Sequence, residues 1–355
     1  MTQSEYSFWY TIIVFVFCTL SCISINASNS ERDSLSPLSP LLGALLSLIS
    51  VIGITNCPGG YGTDKSRYVE MFEYAESLDF SKDIAWPYFT YYTKIIFSNE
   101  WLYFFIIALF YVGCYTFFAS KFFAKGYKSY FLILAIGSMG FYSYGMNTLR
   151  AGVALGFVLL AFSFRKSILL YLFFFFVAIS FHKSMFLPLT IFSLLFFYKN
   201  TKTCIVCWGI MLIISFLDIN YFSDLIQTEL SDMDERVVEY MAAVENPLYS
   251  KVGFRWDFIF YSLFPMFIGC YYVLKKGFDD EFYIQILNTY ILVNAFWLIV
   301  IRIPFTDRFA YLSWFLIPII LIYPLTKTSF FKNQQSLASL MIFVMVFVNF
   351  ILHIK

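Results

Sequence analysis

Long apolar runs separated by short polar links make up most of this chain, and only two links are long. Counting about 20 mostly apolar residues for a bilayer-crossing helix, the first candidates are Phe8 to Ile25 and Leu38 to Thr55. Past a long polar segment come Trp101 to Ser120, Tyr130 to Tyr144, Thr148 to Phe164, Ile168 to Phe181, Ser184 to Tyr198 and Cys204 to Leu217. A second polar stretch, Asp218 to Gly253, precedes Phe258 to Leu274, Tyr283 to Ile301, Phe309 to Leu325 and Ser336 to Leu352. Several middle runs fall short of a full span, so the pattern predicts an all-α, polytopic membrane protein of about 10–12 transmembrane helices. The whole chain reads as one membrane domain, with residues 56–100 and 218–253 as two long polar segments on the outer face.

Composition agrees with this pattern. Of 355 residues 60% are hydrophobic and 13% charged, with a mean hydropathy of +0.73; a soluble domain of this size needs more polar surface. The first apolar run lacks a basic leader and a small-residue cleavage site, and reads as a retained helix. Cys204-x-x-Cys207 opens an apolar run with no histidine near it and reads as membrane packing.

The net charge of +1 says little, but the layout of charge says more. Lys121, Lys125 and Lys128, then Arg165 and Lys166, Lys199 and Lys202, Lys275 and Lys276, and Lys327 and Lys332 occupy five links. With twelve spans these fall on one side, cytoplasmic by the positive-inside rule. The two long polar segments then lie outside. There the arginines gather: Arg67, Arg150, Arg255, Arg302 and Arg308. Arginine at the bilayer centre costs about 2.5–3.5 kcal/mol on insertion scales, and it forks onto phosphate with parallel hydrogen bonds. Arginines meeting at an outer rim would suit a diphosphate at headgroup depth.

The first long segment has further chemistry. Pro58, Gly59, Gly60 and Gly62 hold the chain out of helix; Thr63 is placed to cap a helix carrying Asp64 in its first turn. Asp64, Arg67, Tyr68 and Met71 follow the i, i+3, i+4 spacing of one helix face. The portion from Trp86 to Phe97 has the aromatic content of a helix lying on the membrane surface. Asn147 and Arg150 start one apolar run and His182 lies in an outer link. Arg255 and Asp257, two residues apart, should point apart on a helix. Arg302 and Arg308 flank Asp307. The second segment is acidic, and residues 221–243 fit an amphipathic helix.

Four motifs occur in order: Y-G-T-D-K-S-R-Y over Tyr61 to Tyr68, W-P-Y over Trp86 to Tyr88, N-x-x-R-x-x-x-A over Asn147 to Ala154, and F-H-K-S over Phe181 to Ser184. In this order the chain resembles the EpsG family, which includes Wzy-type O-antigen and capsule polymerases. The resemblance implies a glycosyltransferase joining oligosaccharide repeat units carried on undecaprenyl diphosphate, at the periplasmic face of a bacterial inner membrane. For such a transfer Arg150 and Arg255, with Arg308 as a third candidate, are the cations placed to hold the leaving diphosphate, and Asp64 or His182, between which the residues do not choose, is the base for the acceptor's proton. Arg67, Tyr68, Trp86, Tyr88 and Asn147 are the candidates for binding sugar. Membrane lipid and a chain-length regulator are the further partners expected; no nucleic acid, metal or cofactor is. A lipid-linked oligosaccharide flippase and an O-antigen ligase are the rival readings.

Overall fold

The computed structural model describes residues 2–28, 38–59, 64–78, 84–124, 127–217, 253–303 and 305–354. The amphipathic helix expected over 221–243 and the expected Thr63 cap lie outside them. All elements among the described residues are helical. In chain order they are α1 (Gln3–Ser28), α2 (Leu38–Asn56), α3 (Asp64–Glu73), α4 (Ala85–Phe97), α5 (Glu100–Phe122), α6 (Lys128–Ile136), α7 (Met139–Tyr142), α8 (Leu149–Ser163), α9 (Ile168–Phe181), α10 (Phe186–Leu194), α11 (Thr201–Phe216), α12 (Trp256–Cys270), α13 (Glu281–Ile299), α14 (Thr306–Trp314), α15 (Ile317–Lys327) and α16 (Gln334–Ile354).

Six stretches among the described residues are long and apolar enough to cross a membrane: Glu5–Ile25, Glu100–Phe122, Trp256–Lys275, Glu281–Ile299, Thr306–Lys327 and Gln334–Leu352. Each overlays one of the predicted runs. Five further apolar helices are shorter. The run expected from Tyr130 to Tyr144 is not one helix. It breaks after Ile136, where Ser138 turns its hydroxyl onto the Ala135 carbonyl and caps α7 by accepting from the Phe141 amide. A π-helical turn, Ser143–Asn147, then leads into α8. The fold is an all-α, multi-pass membrane protein.

The chain divides into two compact units, Met1–Phe186 with Leu321–Lys355, and Leu187–Ile320. In the first, α5 packs against α2 and α8, and α8 against α9; α1 packs along α16. At the end of α5 that carries Phe122, Lys121 lies 5.4 Å from the Phe164 ring and Arg165 lies 5.5 Å from the Phe122 ring. Tyr323 packs edge-on to Phe122 and Phe123, with Lys327 over its ring. At the opposite end, Tyr103 and Phe104 receive α3 and α4. With 23 residues in α5, the two ends stand roughly 34 Å apart, about one bilayer.

The second unit centres on α13, almost wholly buried and flanked by α11, α12 and α14. Lys199 pairs with Glu281 at 2.6 Å where α13 begins. Arg302 follows its far end and reaches the Ser215 carbonyl at 3.5 Å. Polar side chains thread the helix. Asn294 accepts from the Trp208 indole at 2.9 Å and donates to the Ser262 and Ser313 hydroxyls, both at 3.1 Å. Trp314 donates to Ser262 at 2.9 Å and Trp297 to Thr306 at 2.8 Å. Such bonds matter in a membrane, where water does not replace them.

Candidate functional site

In the first unit some of the predicted residues lie on helices that meet at Trp86, and others point away from it. α3 is short and amphipathic: Lys65, Tyr68 and Phe72 form its buried stripe, and Arg67 is exposed on the other side. The sequence places Asp64, Arg67 and Tyr68 on one face; the packing separates Arg67 from Tyr68, because α3 turns its 65–68–72 stripe inward. Tyr68 packs edge-on to Trp86 at 5.3 Å between ring centres. Phe181 meets Trp86 from α9 at 6.4 Å, and Tyr103 meets it from α5 at 6.2 Å. His182, half-buried, caps α9 directly after Phe181 in extended backbone (φ −158°, ψ 114°). Asp64, also half-buried, opens α3 one turn before Tyr68. Each candidate base therefore lies on, or caps, a helix that touches Trp86, Asp64 one turn from Tyr68 and His182 next to Phe181.

Arg150 joins this group through its backbone, whose N–H donates to the Tyr68 hydroxyl at 3.4 Å. Arg150 lies in the first turn of α8, immediately after the π-helical turn that carries half-buried Asn147. Single π-turns inside helical stretches recur at functional sites. This one is wedged: a Cβ on Gly152 would meet the Tyr144 carbonyl oxygen at 2.3 Å. The missing side chain therefore lets α8 approach the turn.

Trp86 is fully buried, and its indole N–H has no hydrogen-bond partner among the described residues. Tyr88, two residues on, points the other way and is exposed, stacked on Tyr92. Trp86 and Tyr68 meet protein rings here, so their place is the wall of the site.

Lys65 carries a signal that the sequence reading missed. Its ammonium is buried 3.3 Å from the centre of the Phe104 ring and 3.4 Å from both the Ile54 and Thr55 carbonyls, the exposed end of the α2 ladder. A cation suits a helix C-terminus. Burial pushes its pKa down to about 8, against the opposing pull of Cys57 and Glu100. Burial likewise raises the Cys57 thiol.

Arg255 and Arg308 belong to the second unit. Arg255 grips Asp257 with two parallel bonds, Nε to Oδ1 at 2.9 Å and Nη2 to Oδ2 at 2.8 Å. This corrects the expectation that the two would point apart. Arg255 stands before the first turn of α12 with non-helical backbone (φ −90°, ψ 77°), so helix spacing does not apply and its fork folds back. Its guanidinium also lies over the Phe258 ring at 3.5 Å. Asp307, at the start of α14, feels both Arg308 and Arg255. Arg308 lies over the Phe305 ring, and Phe305 is held in the left-handed region (φ 56°). For a bulky residue that is strain of the kind found at functional sites. Among the described residues no group of three His, Cys, Asp or Glu side chains is placed to share a metal.

Helix content and apolar spans define a multi-pass membrane protein. A family model narrows the class: the EpsG family matches residues 40–355, and the chain belongs to that family of membrane polysaccharide-biosynthesis proteins. No curated protein and no solved structure matches the chain.

Proposed function

We propose that this protein is a Wzy-type polysaccharide polymerase of a bacterial inner membrane, joining repeat units carried on undecaprenyl diphosphate at the periplasmic face. The observation that carries the reading is the sorting of charge along α5. Lys121 and Arg165 lie at one end of this span, while Tyr68, Trp86 and Arg150 lie at the other. Basic links face the cytoplasm by the positive-inside rule. That rule puts the Arg150 end outside, where lipid-linked sugar chains are joined.

In the transfer, a bond forms between the acceptor hydroxyl oxygen and the anomeric carbon of the growing chain. The bond from that carbon to the lipid diphosphate breaks. The hydroxyl proton passes to Asp64 or His182, and the electron pair leaves on undecaprenyl diphosphate. General-base assistance of this kind is worth about 10²–10⁴ in rate. Arg150 serves the diphosphate in the first unit, and Arg255 and Arg308 are the phosphate-binding candidates of the second. Asn147 and Arg67 contact sugar, Tyr68 and Trp86 hold the wall behind them, and a chain-length regulator would act on the product.

Complementation of a deletion strain tests the reading. Arg150→Ala should reach the membrane at normal level and leave single repeat units where the native gene gives ladders, a loss of about 10²–10³ for one removed charge-stabilising group. Normal ladders from this variant would refute the assignment.

A further inference from the structure

The outward face of α4 is exposed, and it is unusually apolar for a polar segment. Ile84, Tyr88, Tyr92 and Ile95 recur at helical spacing and are exposed, with Tyr92 at 56% and Ile95 at 58%. The opposite face carries Trp86, Pro87, Thr90 and Thr93, all buried, and α4 packs through it on α5 and α9. The only charged side chain of the helix is Lys94, and its ammonium donates to the Glu73 carbonyl at the end of α3.

Length and connection say what covers the exposed face. Thirteen residues rise roughly 20 Å, too short for a hydrocarbon core of about 30 Å. The helix ends at Ser98 in the left-handed region, and Asn99 caps α5 by accepting from the Leu102 amide at 3.1 Å. Two residues therefore tie α4 to the end of a membrane-spanning helix. The exposed apolar surface runs on across this link: Ile96 and Phe97, then Trp101 stacked on Phe105 of the span itself. Tyrosine and isoleucine at such a border fit the headgroup–acyl boundary, where amphipathic rings keep one edge wet.

We infer that α4 is a membrane-surface helix whose Tyr88–Tyr92–Ile95 face is seated in the bilayer interface at the Glu100 end of α5. Its inner face supplies Trp86, so the bilayer surface fixes the depth of the wall formed by Tyr68, Trp86 and Phe181. The inference concerns where a helix lies and does not depend on the reaction.

Spin labels test it in the full-length protein, in nanodiscs of phosphatidylcholine and phosphatidylglycerol. A genetically encoded ketone residue carries the nitroxide, leaving the native cysteines untouched. Labels go at Tyr92 and, separately, Ile95, with Leu109 as the lipid-facing reference and exposed Glu70 as the aqueous one. Both test positions should relax several-fold more with oxygen, relative to a water-soluble nickel chelate, than Glu70 does, and less than Leu109. Nickel access equal to that at Glu70 would overturn the proposal by placing the face in water. Shielding from both reagents would overturn it in favour of a protein partner. If one label perturbs the helix, the other decides.

Discussion

Trp86 in the first unit and Trp314 in the second are both almost completely buried among aromatic rings, and they differ in what their indole N–H meets. Trp86 is fixed by rings: Tyr68, Phe89, Tyr103 and Phe181 surround it. Its indole N–H meets no acceptor among the described residues. Trp314 is ringed in the same way by Phe258, Tyr261, Trp297 and Tyr311, and its indole N–H also joins a hydrogen-bonded network with Trp208, Asn294, Ser262 and Ser313. Aromatic rings prefer edge-to-face and offset geometries but need no particular partner atom, whereas each bond of a satisfied polar network fixes one donor to one acceptor. Trp314 therefore ties its helix to its neighbours through particular atoms as well as through rings, and among the described residues the Trp86 indole N–H does not.

The largest effect that would break this comparison lies at the centre of the network. Asn294→Ala strands the Trp208 donor and removes a partner from two serines. At roughly 0.6 kcal/mol for each bond between helices in a membrane, the loss should approach about 2 kcal/mol. Thermal unfolding in detergent measures it. A midpoint equal to that of the native protein would mean that the network contributes register without stability.

A pair of conservative changes sharpens the contrast. Trp314→Phe and Trp86→Phe leave similar voids in well-packed surroundings, but only the first also removes a donor with an acceptor among the described residues, so it should cost about 1 kcal/mol more than the second. Equal losses from the two, read as unfolding midpoints, would show that the Trp86 indole has an acceptor after all.

These differences also mark what was legible before the fold was seen. Apolar length alone located the six long spans, since a membrane admits few other arrangements. The break at Gly137–Ser138 was hidden because both flanking segments are equally apolar, and hydropathy does not register a hydroxyl that caps its own backbone. Helix periodicity misled for Arg255, which stands outside the helix it introduces. Asp64 and Tyr68 stood out on a short helix of the polar segment, and Arg150 and His182 at the ends of apolar runs; in the fold Tyr68 touches Trp86 and the Arg150 N–H, and His182 follows Phe181, which also touches Trp86. Lys65 did not stand out: a lysine in a polar segment reads as solvated, and its partners are backbone carbonyls that no side-chain pattern reveals.

Lys65 supplies the smallest effect, and the one most specific to the first unit. Its folded-state pKa lies near 8, below the ordinary 10.5, because the ammonium is buried. Between those values the unfolded chain binds more protons than the folded one, so the contribution of this group to stability rises with pH across the window. Below about 8 both states are protonated and the full cost of burying the charge is present. From roughly pH 7.5 to 8.5 the expected gain is about 0.7 kcal/mol. Lys65→Met lacks the group, and every other titration is common to both proteins. The difference in unfolding free energy between native protein and variant should therefore shift towards the native protein by that amount as pH rises. A difference that stays flat would mean that the ammonium reaches water. In that case the end of α2 does not seat α3, and the aromatic wall behind Arg150 is looser than the packing of Tyr68 on Trp86 implies.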